Sequence, residues 1–512
     1  MRFKSGAFED QEDIFPGRKN FGPRSDGPEQ VWNVSGKSRP LDAEVIPSEA
    51  TPTGNSSSTW APPFGERHGW IQRRGHTVTF IALFIFSVVL YVRPYETIPA
   101  LSSFTSMAFF TGVATLIIFA FTQFSIEGTL TARPREINLV LLLGVAALLS
   151  MPMAEVPAEA WQTFTDYLLK MIVMFVVIVN VVRTESRLKL LLLLVLAVSI
   201  YLSVNAIYDY QRGFFQTGTI ATHDARITGR IKGLFENSND LAMHLVTMIP
   251  IALALGLSKA GLIRKVVFWG AGALMIGAVV VSFSRGGFLG LIAAVFVLVR
   301  RLGRKSKGMT TAGLVLAGLL FVALAPGAYS SRLATIFDSS ADLTTSSSQR
   351  TEVLKRSVWV ALRYPLFGVG IGNSPHKMPR NLGTHNAYTQ VASEMGMAAL
   401  AVYIMFMVYP FKRLRLIENE SYSRPERKRF YYLAIGLQAG LAGYMVSSFF
   451  GSVAYQWYVY YLVGYGVCLH RLFIMEFQPE KGLTRDFWEN PFSKKRAPLV
   501  TAGEPASQTG SA

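Results

Sequence analysis

Cysteine is all but absent from this chain of 512 residues: there is one, Cys468, which excludes an intramolecular disulfide and a metal site built on several thiolates. Charge is sparse too, at 16% of residues, and acids (33) are fewer than bases (50), so the formal net charge is +17. No apolar run precedes Thr77, and a cleavable leader is therefore not expected. A βαβ unit is also missing around the run Gly368-Val-Gly-Ile-Gly372, which follows an amphipathic stretch (Leu354, Val358, Ala361, Leu362) and Pro365. That context excludes a nucleotide loop and leaves a tight, close-packed turn.

What the chain does have is apolar length. Half of its residues are hydrophobic and its mean hydropathy is +0.31. Apolar runs of about 17 to 25 residues recur, too long and too apolar for a soluble core. The pattern predicts an all-α, polytopic helical membrane protein with about twelve spans, centred near Phe84, Leu116, Val145, Met174, Leu196, Ile249, Leu274, Ala294, Leu316, Tyr403, Gly440 and Leu462. Residues 1–72, rich in Pro, Gly, Ser and charge, read as a disordered cytoplasmic tail. Residues 73–327 hold spans one to nine, with an outer loop at 207–238; residues 328–385 form a large outer loop subdomain; residues 386–475 hold spans ten to twelve; residues 476–512 form a second cytoplasmic tail.

The basic residues orient these spans. With the N-terminus inside, the cytoplasmic connections are Thr131–Glu136, Arg183–Lys189, Lys259–Lys265, Arg300–Lys307 and Lys412–Phe430, nearly all basic, and the tail with Lys494, Lys495 and Arg496 joins them. Topology thus accounts for most of the positive charge, and a nucleic-acid partner is not needed. Outer connections should be poor in Lys and Arg, as the one near Glu155, Glu159 and Asp166 is. Two outer segments are not: Tyr208–Asn239, with Arg212, Arg226, Arg230 and Lys232, and the large loop, with Arg350 and Arg356. Arg285 also falls at an outer end. Cations that defy the bias point to an anionic ligand at the outer face.

Each motif has a plainer reading beside the functional one. Arg226 and Arg230 are four apart, so on a helical turn both guanidiniums would project the same way and clamp a phosphate; the alternative is lipid headgroup binding. Asn237, Ser238 and Asn239 suit the N-terminus of the span that contains His244. Asn205, Asp209 and Arg212 form a polar stripe toward the same face, where an Asp209–Arg212 ion pair competes with a catalytic role. Ser284-Arg285-Gly286-Gly287 offers a close backbone approach beside a cation, against a plain salt bridge. His385, read as lying in the first turn of a helix, is the general-base candidate; the alternative is a capping or packing histidine. Asn386, Gln390 and Glu394 recur at i, i+4 and i+8 and so share one helix face; Glu394 is either a catalytic or orienting carboxylate or the buried partner of an arginine, and the partner role is favoured.

Taken together, Arg226 to Asn239, Ser284-Arg285-Gly286, the Arg350 to Asn373 loop with Trp359 and Pro-Leu-Phe-Gly-Val-Gly-Ile-Gly, and Thr384-His-Asn-Ala-Tyr with Glu394 and Gly396 resemble the O-antigen ligase and polysaccharide polymerase superfamily, over roughly Tyr91 to Val467. The resemblance implies a membrane glycosyltransferase of the GT-C type in the bacterial inner membrane, taking a glycan from undecaprenyl pyrophosphate on the periplasmic side, without metal, nucleotide or other cofactor. It implies that Arg226 or Arg230 and Arg285 hold the pyrophosphate and that His385 activates the acceptor hydroxyl, with Asn386, Glu394, Asn239, Arg350 and Asp209 in support. The partners implied are the lipid-linked donor, an acceptor glycan or lipid A core, and polysaccharide assembly or chain-length proteins. An anion transporter using the same arginines, and glycan transfer to protein, are the competing functions; no internal repeat of the transporter kind is visible.

Overall fold

The computed structural model describes residues 76–104, 106–127, 131–132, 134–215, 227–229, 231, 235, 237–258, 261–304, 308 and 346–477. Arg226, Arg230, the ninth expected span near Leu316, the first part of the large loop and both tails lie outside the described residues. Within them the chain is helical, with no strand. The long helices are α1 (Thr77–Val92), α2 (Met107–Glu127), α3 (Arg135–Ser150), α4 (Pro157–Val181), α5 (Glu185–Arg212), α6 (Ser238–Ser258), α7 (Leu262–Val281) and α8 (Arg285–Leu302). After them come α9 (Ser346–Arg363), α10 (Ala387–Met395), α11 (Met397–Ser421), α12 (Lys428–Ser447) and α13 (Trp457–Phe477).

Nine of the helical segments among the described residues are long and apolar enough to cross a membrane. They include α2 to α7 and α11 to α13, in agreement with the spans read from hydropathy. α1, at 16 residues, is shorter than a usual span, and α8 carries Arg285, Arg300 and Arg301. α6 and α13 form the centre: 83% and 89% of their apolar windows are buried, against 22% for α2, which therefore faces lipid. α12 reaches this centre through small residues. A side chain at Gly440 would lie 2.5 Å from the Thr247 carbonyl oxygen, and one at Gly436 2.9 Å from that of Pro250, so the spacing Gly436-x-x-x-Gly440 lets α12 lie directly on α6.

The helices alternate in direction and divide the bundle into two ends. At the basic end, Arg471, Arg183 and Arg187 donate to the carbonyls of Val179, Asn180 and Val181 at 3.3, 2.8 and 3.0 Å. These are the last carbonyls of α4, which no intrahelical N–H reaches, and cations also complement the negative end of the helix dipole. Arg413 of α11 pairs with the buried Glu136 of α3 at 2.6 Å, and Arg301 and Arg304 lie 3.4 and 3.6 Å from the buried Glu418. At the opposite, loop end sit the connections after α3, α5, α7 and α12, together with the segment from α9 to α10. Expected inward and outward connections thus sort to separate ends.

α9 carries more apolar positions than the amphipathic stripe Leu354, Val358, Ala361 and Leu362. Val353 and Val360 are buried with Val369 and Met378, whereas Leu354, Val358 and Leu362 are exposed. The helix has two apolar faces, and the loop's own small core takes the other one.

Candidate active site at the loop end

The glycine turn fastens the loop to the bundle. Gly368, Gly370 and Gly372 all have positive φ (67°, 94° and 74°), which side chains disfavour, and an added Cβ at Gly368 would meet the Glu394 backbone at 2.3 Å. The turn's N–H groups are all directed: Val369 to Ser393 O (2.9 Å), Gly370 to Glu394 O (3.0 Å), Ile371 to Ser150 Oγ (3.1 Å) and Gly372 to Glu394 Oε2 (2.9 Å). Just beyond, Asn373 Oδ1 accepts from Val156 N–H at 2.7 Å, and Lys377 and His376 meet Glu155 and Glu159 at 2.6 and 2.7 Å. The close-packed turn expected from sequence is what forms.

Glu394 takes a different role from the expected one. Its carboxylate accepts from Gly372 N–H, from Ser374 O–H (2.6 Å) and from Tyr455 O–H (2.8 Å), and among the described residues no cation pairs with it. The arginine-partner reading is corrected: neutral donors from two connections satisfy it. Burial pushes its carboxyl above the ordinary range, and the three donors draw it part of the way back. The facing Tyr455 phenol is likewise raised, first by burial and then by the carboxylate.

His385 does not lie in a helical turn. α10 begins at Ala387 and is capped by Asn386, whose Oδ1 accepts from Tyr388 and Thr389 N–H at 2.9 and 3.0 Å. His385 precedes the cap, half-buried, with φ 50°, a left-handed conformation that is uncommon outside glycine. Asn386 is thus a structural cap, although it also borders the cavity described below. Gln390, one turn on, accepts from Ala454 N–H at 3.3 Å, so the polar face of α10 that the spacing suggested looks toward residues 452–455.

The Ser284-Arg285-Gly286 turn arrives from the other side. Phe283 is left-handed (φ 53°), Ser284 Oγ accepts from Gly287 N–H at 3.1 Å and donates to Asn239 Oδ1 at 2.7 Å. Two motifs separated in sequence, Asn237-Ser-Asn239 and Ser284-Arg285, are therefore joined. Asn237, the expected cap of α6, accepts from Asn239 N–H at 2.9 Å. Beside them Ile227, Ile231 and Phe235 are buried, and Phe235 packs on His244 of α6 with ring centroids 4.8 Å apart. Arg285 is half-buried at the first position of α8.

A single connection links the two sides. A side chain at Gly286 would lie 2.5 Å from Phe450 Cβ, and His385 N–H donates to Ser452 Oγ at 2.8 Å. Phe450 and Ser452 are two residues apart, at most about 7 Å along the chain. Arg285 and His385 thus approach the same short strip. An apolar cavity of about 590 Å³ opens there, bordered by Leu289, Ile292, Leu354, Phe449, Phe450 and Asn386.

The remaining candidates are more dispersed. Arg350 is half-buried in α9. Arg356 donates to Lys377 O at 3.1 Å and stacks 4.4 Å from the centre of Trp359, so both serve the loop's own structure. Asp209 lies in the last turn of α5, and Arg212 there lies over the Tyr208 ring at 5.2 Å. His244 is fully buried, bonded to Ser199 at 3.0 Å, and belongs to the packed interior. Sequence reading missed Ser374, Ser452 and Tyr455; the only signal was the polar break Gly451-Ser-Val-Ala-Tyr-Gln456 between two apolar runs.

Residues 270–404 match the family model described as O-antigen ligase. The matched segment contains Arg285, Arg350, His385, Asn386 and Glu394, whereas Asp209, Arg226, Arg230, Asn239 and Ser452 lie outside it. The match supports the O-antigen ligase-like superfamily read from the motifs, and with it a membrane ligase or polymerase role in polysaccharide biosynthesis. No curated protein matches the chain.

Proposed function

We propose that the protein is a membrane glycosyltransferase that moves a glycan from undecaprenyl pyrophosphate to an acceptor sugar hydroxyl, with the loop end at the periplasmic face of the inner membrane. The observation that carries this reading is the meeting of the Arg285 turn and the His385 turn on residues 450–452, beside an apolar cavity. A polyprenyl diphosphate needs those three things together: cations for the diphosphate, a base for the acceptor, and an apolar wall for the first isoprene units.

The chemistry divides accordingly. The acceptor oxygen bonds to the anomeric carbon as the bond from that carbon to the diphosphate oxygen breaks, and the electron pair leaves with the diphosphate. The acceptor proton passes to the His385 imidazole. Arg285, with Arg226 or Arg230, stabilises the charge that develops on the leaving diphosphate. One in-line displacement inverts the anomeric centre. The left-handed backbone at His385 places the residue just ahead of the α10 cap.

Deleting the gene and resolving the surface polysaccharide separates the two forms of the activity. A single repeat still attached to its acceptor means polymerase; full-length chains left unattached mean ligase; loss of glycan from proteins alone means transfer to protein. Full polysaccharide output from His385→Ala would overturn the catalytic assignment.

A further inference from the structure

We infer that Ser452 is a positioning residue for His385, and that it sets the imidazole through a closed chain of hydrogen bonds; this rests on the transfer reading above. Ser452 lies beyond the segment matched to the ligase family and about seventy residues along the chain from the histidine it would serve. Three bonds fix the chain's direction. His385 N–H donates to Ser452 Oγ at 2.8 Å, Ser452 Oγ lies 3.1 Å from Thr384 Oγ1, and Thr384 Oγ1 donates to Asn386 O at 3.1 Å. A hydroxyl has one proton. Because the Thr384 proton goes to Asn386 O, the proton between the two hydroxyls must come from Ser452. The chain therefore runs His385 N–H to Ser452 O–H to Thr384 O–H to Asn386 C=O, and each of the two hydroxyls has one partner to give to and one to take from.

The consequence falls on His385. This bond holds an amide whose residue sits at φ 50°, so Ser452 opposes relaxation to an ordinary backbone conformation that would swing the imidazole away. Ser452 itself is held firmly. Tyr444 O–H donates to Val453 O at 3.1 Å, Tyr460 O–H donates to Ala454 O at 3.2 Å, Ala454 N–H donates to Gln390 Oε1 at 3.3 Å, and Tyr455 O–H donates to Glu394. Two buried tyrosines fasten the connection from below and the polar face of α10 fastens it from the side. Ser452 touches no reacting atom; it acts through the residue that does.

The test is a double-mutant cycle on the full-length protein in proteoliposomes, with radiolabelled undecaprenyl-pyrophosphate-linked repeat unit as donor and acceptor glycan from the producing strain. Ser452→Ala is expected to lower kcat about 10- to 100-fold, the scale of a misplaced catalytic group, with KM for the donor within about twofold of the starting protein. In a His385→Ala background the same change is expected to cost less than about twofold. Ser452→Thr, which keeps the hydroxyl, is expected to restore most of kcat. Thr384→Val breaks the chain at its other hydroxyl and is expected to lose kcat in the same His385-dependent way, so the inference stays testable if Ser452→Ala folds poorly. An unchanged kcat in Ser452→Ala, or an equal loss with and without His385, would overturn the inference. Wild-type kcat in His385→Ala alone would instead remove the transfer reading beneath it, and the inference with it.

Discussion

The two ends of the bundle handle polar groups in opposite ways. At the basic end guanidiniums meet helix-terminal carbonyls and buried carboxylates, as at Arg187 on Val181 and Arg413 on Glu136. At the loop end the buried carboxylate of Glu394 meets, among the described residues, only neutral donors, and the backbone is strained. Of the six non-glycine residues with positive φ among the described residues, five (Arg93 after α1, Phe283, Arg380, Asn381 and His385) are at the loop end. Strain persists where surrounding structure over-determines it, and it gathers at functional sites. The difference teaches that ion pairs and capped helix ends hold the basic end together, whereas the loop end is held by neutral hydrogen bonds around a strained backbone, which is where the proposed function puts the chemistry.

Substitutions at the two ends should therefore fail differently. His385→Ala is expected to lower kcat about 10²- to 10⁴-fold with little change in thermal midpoint, and Arg285→Ala about 10²- to 10³-fold, both read from donor turnover. Arg413→Ala, at the other end, leaves the fully buried Glu136 uncompensated and is expected to cost about 3–5 kcal/mol of stability while the kcat of the surviving folded fraction holds, as measured by thermal unfolding in detergent. If Arg413→Ala selectively lost kcat, the division between the ends would blur.

Glu394 gives a finer comparison. Glu394→Ala strands the Gly372, Ser374 and Tyr455 donors and is expected to cost about 3 kcal/mol, whereas Glu394→Gln can accept from Gly372 and Tyr455 and donate to Ser374, and should fold nearly as well. Because burial raises this carboxyl, the folded protein keeps a proton that the unfolded chain releases. Its contribution to stability is then full below the ordinary carboxylate range and is lost as pH rises through the elevated folded value. Unfolding midpoints of the wild type against pH should show that decline, and those of Glu394→Gln should show less of it.

Gly368→Ala combines a positive φ with a 2.3 Å approach to the Glu394 backbone, and a loss of about 1–3 kcal/mol is expected by the same unfolding assay. The smallest effect belongs to Lys377→Ala. Its hydrogen bond and charge lower the Glu155 carboxyl, yet that carboxylate is fully exposed, and no measurable change in midpoint is expected.

Much of this architecture can be read from sequence because hydropathy and length are local properties. The spans and the close-packed glycine turn were both legible in that way. Long-range partners were not. Glu394 finds Ser374 and Tyr455 at separations of 20 and 61 residues, and no periodicity announces such pairs. Its assignment to an arginine followed from charge alone, whereas three neutral donors do the same work. The buried face of α9 was not legible because both of its apolar faces satisfy a helical period, and only packing chooses Val353 and Val360 over Leu354 and Val358. Ser452 was invisible because a small polar residue between two apolar runs looks like any other turn residue.

The claim that Arg285 and His385 share one outward pocket is tested most directly by single-cysteine labelling in a Cys468→Ser background. Arg285→Cys and His385→Cys should both react with a membrane-impermeant thiol reagent added to intact spheroplasts, and undecaprenyl-pyrophosphate-linked donor should slow both, while Asn419→Cys at the basic end should react only after permeabilisation. Labelling of positions 285 and 385 from opposite sides of the membrane would contradict the account.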